Sequence, residues 1–448
     1  MYFSVNTSYK EVMEFTLLEL TEVLKISFRA DEMSWIFAIM TTVVFLMAGI
    51  YSFGYMEHDE HKIRYAFFYL LVYVVLLGLD FSANLITMYL FYELMTLSSM
   101  PLILHDLKKE SISAAMKYLY YSIAGAFLAL FGIFVLSQYA PSMDFVAGGH
   151  FVAENIPNRG LILGALCLMV VGFGAKAGLF PLHAWLPIAH PVAPAPASAV
   201  LSGVVVKSGV LAMIRTIFYV VGADVIRGTW VQTVWMVLTL LTIVMGSTRA
   251  FHENVFKKRL AYSTVSQLSY VLFGLSTLHP IGMAGALLHV LFHSVAKSLL
   301  FMSAGSVIHQ TGKTNVSELR GVGRQMPITL ACFTLGSLSL VGIPPFAGFF
   351  SKWYLANGAL ASEIPVFGWL GPVVLLLSAL LTAGYLFPIA VQGFLPGKAY
   401  DKNPAKKCEA GNSMTIPMMI LAALALLLGI FSSGIIEFVS QLASRQTQ

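Results

Sequence analysis

The chain has 448 residues, of which 58% are hydrophobic and only 11% are charged, and its mean hydropathy is +0.78. Soluble domains carry about 25% charged residues, so this composition excludes an ordinary soluble protein and indicates a membrane protein. The net charge of +5 is small, and no basic patch with interleaved aromatic residues argues for a nucleic-acid partner. The three cysteines form no CxxC pair, so we expect no cysteine-ligated metal or iron–sulfur cluster on this chain.

About twelve apolar segments are long enough to span a bilayer, which takes about 20 residues each. We predict an all-α polytopic membrane protein in which residues 31–440 form one transmembrane domain. A polar or amphipathic segment (1–30) precedes this domain and a polar tail (441–448) follows it. The predicted spans are 33–55, 64–80, 82–104, 113–138, 160–188, 197–221, 229–249, 258–277, 281–309, 327–350, 366–394 and 414–440.

Basic residues concentrate in alternate loops between the predicted spans. The loops in between, around 139–158, 222–228 and 278–280, are neutral or nearly so. By the positive-inside rule the basic loops are predicted to be cytoplasmic, in a prokaryotic cytoplasmic membrane. The basic residues are Lys108, Lys109, Arg249, Lys257, Lys258, Arg259, Lys313, Arg320, Arg324, Lys398, Lys402, Lys406 and Lys407.

Prolines interrupt two of the predicted spans. Pro181 lies within 160–188, and Pro344 and Pro345 lie within 327–350. A proline frees a backbone carbonyl, which a membrane tolerates only where protein or a polar cavity satisfies it. Broken helices in corresponding positions of two halves indicate inverted repeats around a transport site. We therefore predict two inverted five-helix repeats.

Four charged residues lie inside apolar segments, where a charge costs at least about 2.5–3.5 kcal/mol. They are Glu93, Lys176, Lys207 and Lys297, and together they predict a proton path. Lys176 is the natural partner of Glu93, and a movable ion pair between them would switch proton affinity. The alternative is a static pair that fixes helix packing. Lys207 and Lys297 have no local carboxylate, although a displaced span would let Lys207 reach the interface.

A second group of polar residues shares one helix face, because His289, His293 and Lys297 are spaced four residues apart. Histidine exchanges protons near neutral pH, so a proton wire is the first interpretation and simple packing the second. A zinc site ranks third, because no third ligand is visible and the lysine would repel a cation. We therefore predict no metal site.

Residues next to the helix breaks are candidates for access to water. His183 and His190 flank the segment 186–200, which is predicted to be an ordered non-helical connection because its prolines disfavour a helix. Each histidine could equally be an ordinary surface residue. Lys352 follows the second break and is predicted near the outer interface. The remaining candidates are Asp80 and Tyr385.

Five segments of the sequence resemble one protein family. They are YLFYELMTLSSMPLI, GAKAGLFPLHAWLPIAHPVAPAPASAVLSGVVVKSGVLAMIR, KKRLAYSTVSQLSYV, HVLFHSVAKSLLFMSAGSVI and GIPPFAGFFSKWYL, in this order. They resemble the antiporter-like subunits of respiratory complex I. They are equally similar to the large subunits of Mrp-type cation/proton antiporters and of membrane-bound hydrogenases.

The resemblance implies roles for individual residues. Glu93 matches the family's membrane glutamate, Lys176 the lysine on the broken helix that pairs with it, and Lys207 the central lysine. The histidines and the lysine of HVLFHSVAK match the polar segment of the second half-channel. In the family these residues form a hydrated axis along the membrane plane.

Two departures from the family pattern are visible. Family members begin with two further apolar helices, for which residues 1–30 are too short and too charged, so we expect either a small partner subunit that supplies them or a site that is covered differently. Many members also carry a Lys or Glu on a late helix as an exit station. The span 366–394 has no ionisable acid or base except Tyr385, which puts the exit half-channel in question.

We therefore expect a membrane subunit that translocates protons, or exchanges them for Na⁺, within a hydrogenase-type or Mrp-type complex. Its energy would come from partner subunits that carry iron–sulfur clusters. No GxGxxG or P-loop follows a strand, so no cofactor and no redox or hydrolytic active site is expected on this chain. The alternatives are a self-contained antiporter, a non-conducting structural subunit and an inorganic-carbon-uptake subunit.

Overall fold

The structure, a computed structural model, describes residues 13–21, 24–397 and 406–447. Parts of the predicted N-terminal segment and of the tail lie outside these residues, as do the basic residues Lys398 and Lys402. The described chain is a bundle of helices, which confirms the predicted all-α membrane fold. A single antiparallel hairpin precedes the bundle.

The hairpin and the helices alternate with short connections along the chain. The first half consists of β1 (Glu14–Glu19), β2 (Lys25–Arg29), α1 (Glu32–Tyr55), α2 (Lys62–Asp80), α3 (Leu85–Ile103), α4 (Lys109–Tyr139), a 3₁₀ turn (Ala153–Asn155), α5 (Arg159–Ala177), α6 (Leu186–Val192), α7 (Ala195–Val200), a π-helical turn (Leu201–Val205), α8 (Lys207–Ile214), a second π-helical turn (Arg215–Val221) and α9 (Ala223–Ile226). The second half consists of α10 (Trp230–His252), α11 (Phe256–Ser276), α12 (Pro280–Thr311), a 3₁₀ turn (Val316–Glu318), α13 (Val322–Gln325), α14 (Pro327–Val341), α15 (Ala347–Ala361), α16 (Phe367–Phe394), α17 (Asn412–Ile430) and α18 (Ser432–Gln446).

Ten helical segments of the described chain are long and apolar enough to cross a membrane. The predicted spans 258–277 and 327–350 are not among them. The first, α11, begins with the charged run Lys257–Arg259, and the second is divided between two helices of 15 residues each, α14 and α15. The helix count of about twelve and the inverted repeats stay predictions.

Both predicted helix breaks have the same form. α5 is followed by Gly178 and α14 by Gly342, with φ angles of 74° and 89°. Glycine reaches this left-handed conformation without steric cost and commonly follows the last helical residue. The next helices begin only at Leu186 and Ala347. The three prolines Pro181, Pro344 and Pro345 lie in the connections between them.

The prediction that residues 186–200 are non-helical is wrong, because they form α6 and α7. Pro187 and Pro196 occupy first-turn positions, where the missing N–H would have had no helical partner. Pro191 lies in the last turn of a seven-residue helix and removes little hydrogen bonding. Only the junction at Ala193 and Pro194 is extended.

The basic loops around residues 249–259, 313–324 and 406–408 lie at one end of the bundle, called the basic end below. There the Val316 amide donates to the Asn254 carbonyl at 2.8 Å, and the Cys408 amide donates to the Gln325 carbonyl at 3.1 Å. Lys257 differs from the other basic-loop residues, because its side chain is buried and its ammonium donates to the Ala193 carbonyl at 2.7 Å. The prediction that Lys257 lies in a loop is therefore wrong, because it lies in the first turn of α11.

Helices α4 and α5 pack with their backbones unusually close. A Cβ added at Gly172 would lie 2.5 Å from the Gly125 carbonyl oxygen and 2.8 Å from the Ala129 nitrogen. Small residues permit such approaches between membrane helices. On the same helix α5, a Cβ at Gly164 would meet nothing within 4 Å.

Gly172→Ala is therefore expected to destabilise the folded protein by about 1–3 kcal/mol, the usual cost of overpacking. Gly164→Ala is the matched control and should stabilise by about 0.5–1 kcal/mol, because alanine is the better helix former. Thermal unfolding in mild detergent measures both. Equal melting temperatures for the two variants would show that α4 and α5 move apart to accommodate the added methyl group at little cost in free energy.

Candidate functional site

Three lysines are completely buried in the middle of the bundle. Lys176 lies at the end of α5, Lys207 at the start of α8 and Lys297 in α12, and each has 0% of its surface exposed. No carboxylate lies within 4.0 Å of any of these ammonium groups in the part of the chain that the structure describes. The lysines are held by hydroxyls and backbone carbonyls instead.

The ammonium of Lys176 lies in a pocket of aromatic and hydroxyl groups between α3 and α4. It donates a hydrogen bond to the Thr96 hydroxyl and a longer one, 3.4 Å, to the Tyr118 hydroxyl. It also lies 5.1 Å from the centre of the Tyr92 ring, a cation–π distance. Ser99 and Tyr118 share a further hydrogen bond of 2.7 Å. This pocket holds the charge without neutralising it.

Glu93 does not form the predicted contact with Lys176, since no ion pair of 4.0 Å or less joins these two described residues. Its carboxylate is partly buried, and its Oε1 is buried without a hydrogen-bond partner. Glu93 and Thr96 lie one turn apart on the same face of α3. In this geometry Glu93 and Lys176 are separated, and the Thr96 hydroxyl instead of the Glu93 carboxylate accepts the hydrogen bond from Lys176.

Lys207 lies directly after the π-helical turn Leu201–Val205. Its ammonium donates to the Ser202 carbonyl inside that turn, and the Ser202 hydroxyl is 2.7 Å from the Thr264 hydroxyl of α11. π-Helical turns frequently occur at functional sites. Because the lysine has no exposed surface, it does not reach the interface, which removes the alternative left open by the sequence.

The polar face of α12 continues from Lys297 towards the opposite end of the bundle. The rings of His289 and His293 are 5.8 Å apart, and His289 Nδ1 is 2.9 Å from the Ser351 hydroxyl. Both ring nitrogens of His293 and the Nε2 of His289 are buried without a protein partner. Among the described residues no group of three metal-ligating side chains occurs.

Lys352 of α15 is partly buried and lies close to this polar face. Its ammonium donates to the Leu340 and Val341 carbonyls at 2.8 and 2.9 Å, where the negative end of the α14 dipole favours a cation. It also lies 5.2 Å from the Tyr270 ring, which stacks on His289 with ring centres 5.6 Å apart. The chain reverses direction in the connection between α14 and α15, so that Lys352 of α15 lies next to the C-terminal end of α14.

The remaining predicted site residues lie in different settings. His190 is buried, with both ring nitrogens unpartnered and its ring 4.6 Å from that of Phe301, so it is not a surface histidine. His183 is partly buried. Asp80 is buried and accepts a hydrogen bond of 2.9 Å from Thr41. Tyr385 is buried and donates to Ser263 at 2.7 Å.

Sequence reasoning missed a partly buried ion pair between Arg215 and Asp31, whose side chains are 1% and 20% exposed. Two guanidinium nitrogens donate to the two carboxylate oxygens, each at 2.7 Å, and Arg215 is 1% exposed. Asp31 also caps α1 by accepting from the Ser34 amide at 2.8 Å. The available signal was Arg215 itself, a charge within the apolar run SGVLAMIRTIFYVV.

Comparison with known proteins identifies the family. Residues 82–382 match the family described as NADH:quinone oxidoreductase/Mrp antiporter, TM, and residues 21–67 match NADH-Ubiquinone oxidoreductase (complex I), chain 5 N-terminus. The chain is 33% identical to NADH-quinone oxidoreductase subunit N of Desulforudis audaxviator over 411 residues, covering 89% of this chain and 80% of the relative. It is 29% identical to hydrogenase-4 component B of Escherichia coli, covering 94% of this chain and 65% of that protein.

Solved structures share the fold. A chain in the structure of the Mrp complex from Dietzia superposes with a TM-score of 0.84 at 20% identity, covering 98% of this chain and 88% of that one. A chain of the archaeal membrane-bound sulfane sulfur reductase superposes with a TM-score of 0.83 at 24% identity, covering 95% and 84%. The chain therefore belongs to the family of antiporter-like membrane subunits found in NADH:quinone oxidoreductases and Mrp antiporters.

Proposed function

We propose that this chain conducts protons along its buried polar axis as one subunit of a larger membrane complex. The observation that carries the proposal is the row of buried lysines and histidines without carboxylate partners. An unpaired buried cation contributes poorly to stability, and ionisable residues within a membrane mark ion pathways. The axis consists of Glu93, Lys176, Lys207, His293, His289, Lys297 and Lys352.

The first half of the axis works as a switch in this proposal. Lys176 moves between the Thr96 hydroxyl, where it is found, and the Glu93 carboxylate one turn away. A neighbouring carboxylate stabilises the protonated, charged form of Lys176. When the two groups separate, Lys176 releases its proton more readily. The separated geometry thus represents the releasing state, and Lys207 is the next acceptor.

Bound water is the expected carrier between the stations. Buried polar atoms in proteins are almost always hydrogen-bonded to protein or to water, and the ring nitrogens of His293 have no protein partner. Both polar atoms of the buried Gln267 side chain are equally unpartnered. These atoms line the polar face of α12 and the adjacent α11, where water molecules would complete a hydrogen-bonded chain.

Protons are favoured over Na⁺ as the conducted ion. Asp80 is the only fully buried carboxylate in the described chain, and it already accepts a hydrogen bond from Thr41. Hard cations need several oxygen ligands, and the buried lysines repel them. If the complex exchanges protons for Na⁺, partner subunits would have to provide the Na⁺ site.

The parent complex is proposed from similarity. The relatives include subunits named for NADH-quinone oxidoreductase and for hydrogenase-4, so we propose redox partner subunits with iron–sulfur clusters and a further small membrane subunit. The basic end is proposed to face the cytoplasm of a prokaryote. Isolation of the tagged chain in mild detergent, with identification of the proteins that accompany it, tests this proposal. Iron–sulfur subunits would indicate a redox pump, and other membrane subunits alone would indicate an Mrp-type antiporter. Recovery of the chain alone would contradict both.

Glu93→Gln tests the function itself, because it keeps the shape of the side chain but removes the charge that attracts Lys176. We expect proton uptake to fall at least about tenfold, within the range typical of lost proton-transfer groups. Uptake is followed with a trapped pH indicator in Na⁺-free vesicles that contain the chain in its native assembly. Glu437→Gln, at an exposed position of α18, is the control. A non-conducting scaffold would give equal uptake for both variants and the unmodified protein.

A further inference from the structure

Lys257 lies at the inner edge of the basic end. It is in the first turn of α11, and the amide of the preceding Phe256 donates to the Thr314 carbonyl of a basic-end loop at 2.9 Å. Lys257 keeps 6% of its surface exposed, whereas Lys297 has none. The charged group that faces the Lys257 ammonium is the carboxylate of Asp106, whose side chain is 40% exposed in the loop between α3 and α4. Lys257 is thus a buried lysine that adjoins solvent-exposed groups.

His190 lies between the levels of Lys257 and Lys297 in the bundle. Its ring stacks on that of Phe301, with ring centres 4.6 Å apart. Because α12 ends at the basic end, Phe301 is one turn nearer to that end than Lys297. Lys257 in turn donates at 2.7 Å to the carbonyl of Ala193, three residues after His190 at the end of α6. His190 therefore adjoins both lysines, and both charges act on its ring.

The hydrogen-bonding groups of these side chains are only partly used. Both ring nitrogens of His190 are buried without a partner in the described part of the chain, and buried polar atoms almost always bind protein or water. The Lys257 ammonium has three N–H donors and uses one of them on the Ala193 carbonyl. The Lys297 ammonium uses two, on a carbonyl and a hydroxyl of α11. Bound water is therefore expected to connect Lys257, His190 and Lys297.

We propose that Lys257 and His190 form the route by which protons from the basic end reach Lys297. The inference rests on the proposed function and adds two residues and a direction to it. When Lys297 is a neutral amine, His190 gives up a ring proton to it through water and takes one from the Lys257 ammonium. Lys257 then takes a proton from solvent beside Asp106. One proton enters, one is bound at the Lys297 amine, and Lys257 and His190 return to their original charges.

The charges along this route favour transfer towards the interior. A neutral imidazole has one acceptor and one donor nitrogen, so His190 accepts a proton on one side as it releases one on the other. Its positive neighbours disfavour a lasting charge on the ring, so the proton passes on to the neutral amine. The exposed carboxylate of Asp106 instead favours the protonated form of Lys257. The charged and titratable groups that face these side chains are Asp106 for Lys257; Lys207, Lys257 and Lys297 for His190; and Lys207, His190, His293 and, through Ser263, Tyr385 for Lys297.

Lys257→Arg and His190→Gln test the route, because each keeps hydrogen-bond donors but does not exchange protons near neutral pH. Arginine stays protonated and still offers donors to the Ala193 carbonyl. Proton uptake is measured between about pH 6 and 9 on the basic-end side of Na⁺-free vesicles that contain the chain in its native assembly. Lys297 must then be loaded directly from solution, so uptake by each variant should fall about tenfold for each unit that the pH rises, to a loss of about a hundredfold at the basic extreme. The unmodified protein should show a shallower dependence.

The controls are exposed residues at the same end of the bundle. Lys258→Arg changes a lysine whose side chain is 37% exposed and pairs with Glu253, and His309→Gln changes an exposed histidine of α12. Both controls should keep the shallow profile. A shallow profile for Lys257→Arg or His190→Gln overturns the route, and so does a loss that is equal at all pH values, which indicates a structural role. Where one of these two variants fails to assemble, the other decides.

Lys297→Ala is run in parallel to separate the two proposals. Loss of uptake by Lys297→Ala, with shallow profiles for Lys257→Arg and His190→Gln, rejects the entry route alone. Full uptake by Lys297→Ala rejects both the entry route and conduction along the buried axis.

Discussion

Lys207→Met is expected to reduce proton uptake at least about a hundredfold, the scale of a lost proton-transfer group. Methionine nearly matches the length and volume of lysine but carries no exchangeable proton. Lys207 has no exposed surface and donates only to the Ser202 carbonyl in the described structure. Along the proposed axis it lies between the Lys176 pocket and the polar face of α12. No other described residue occupies that place, so the loss should not be compensated.

The control is Lys117→Met, since Lys117 is an exposed lysine of α4. The measurement is the initial rate of acidification or alkalinisation in vesicles that contain equal amounts of assembled protein. Lys207→Met is also expected to stabilise the folded chain or leave it unchanged, because it replaces a buried unpaired cation with an apolar side chain. A slow variant that is also unstable would instead indicate a packing defect.

Arg215→Leu is expected to destabilise the protein by at most about 3–5 kcal/mol, the cost of removing one partner from a fully buried pair, because the Asp31 side chain that is left behind keeps 20% of its surface exposed. The change leaves the Asp31 carboxylate without its two charge-assisted hydrogen bonds. It also removes the stacking of the guanidinium on the Tyr219 ring, 4.5 Å away. Chemical unfolding in mild detergent measures the difference in free energy.

The matched control is Arg227→Leu, whose partner Asp224 forms an exposed pair at 2.9 Å. Exposed pairs contribute about 0–1 kcal/mol. The double variant Asp31→Asn with Arg215→Leu should recover part of the loss, because asparagine still caps α1 and no carboxylate is left unpaired. If Arg215→Leu costs no more than the control, the pair is solvated in solution and does not stabilise the bundle.

The apolar segments of the sequence predict most of the fold, because membrane helices satisfy their own backbone and need only length and composition. The two breaks are equally visible, since proline acts locally. The spacing of His289, His293 and Lys297 predicts that they share a helix face, because this too depends only on the local geometry of one helix. Local rules fail at 186–200, where prolines at first-turn positions start helices instead of preventing them.

The contacts of the site depend on which helices meet, and a single sequence does not contain that information. Lys257 looks like a loop residue because it stands next to Lys258 and Arg259, yet it is buried against α6. The sequence equally predicts a Glu93 contact for Lys176, but the Thr96 hydroxyl one turn further along α3 takes the ammonium.

The most direct measurement is proton uptake in Na⁺-free vesicles by the native assembly containing either unmodified chain or Lys207→Met, with the subunit content of both preparations verified as equal. Conduction through the buried axis predicts uptake by the unmodified assembly without Na⁺ and almost none by the variant. Equal uptake by the two assemblies would show that protons cross elsewhere in the complex and that this chain is a scaffold.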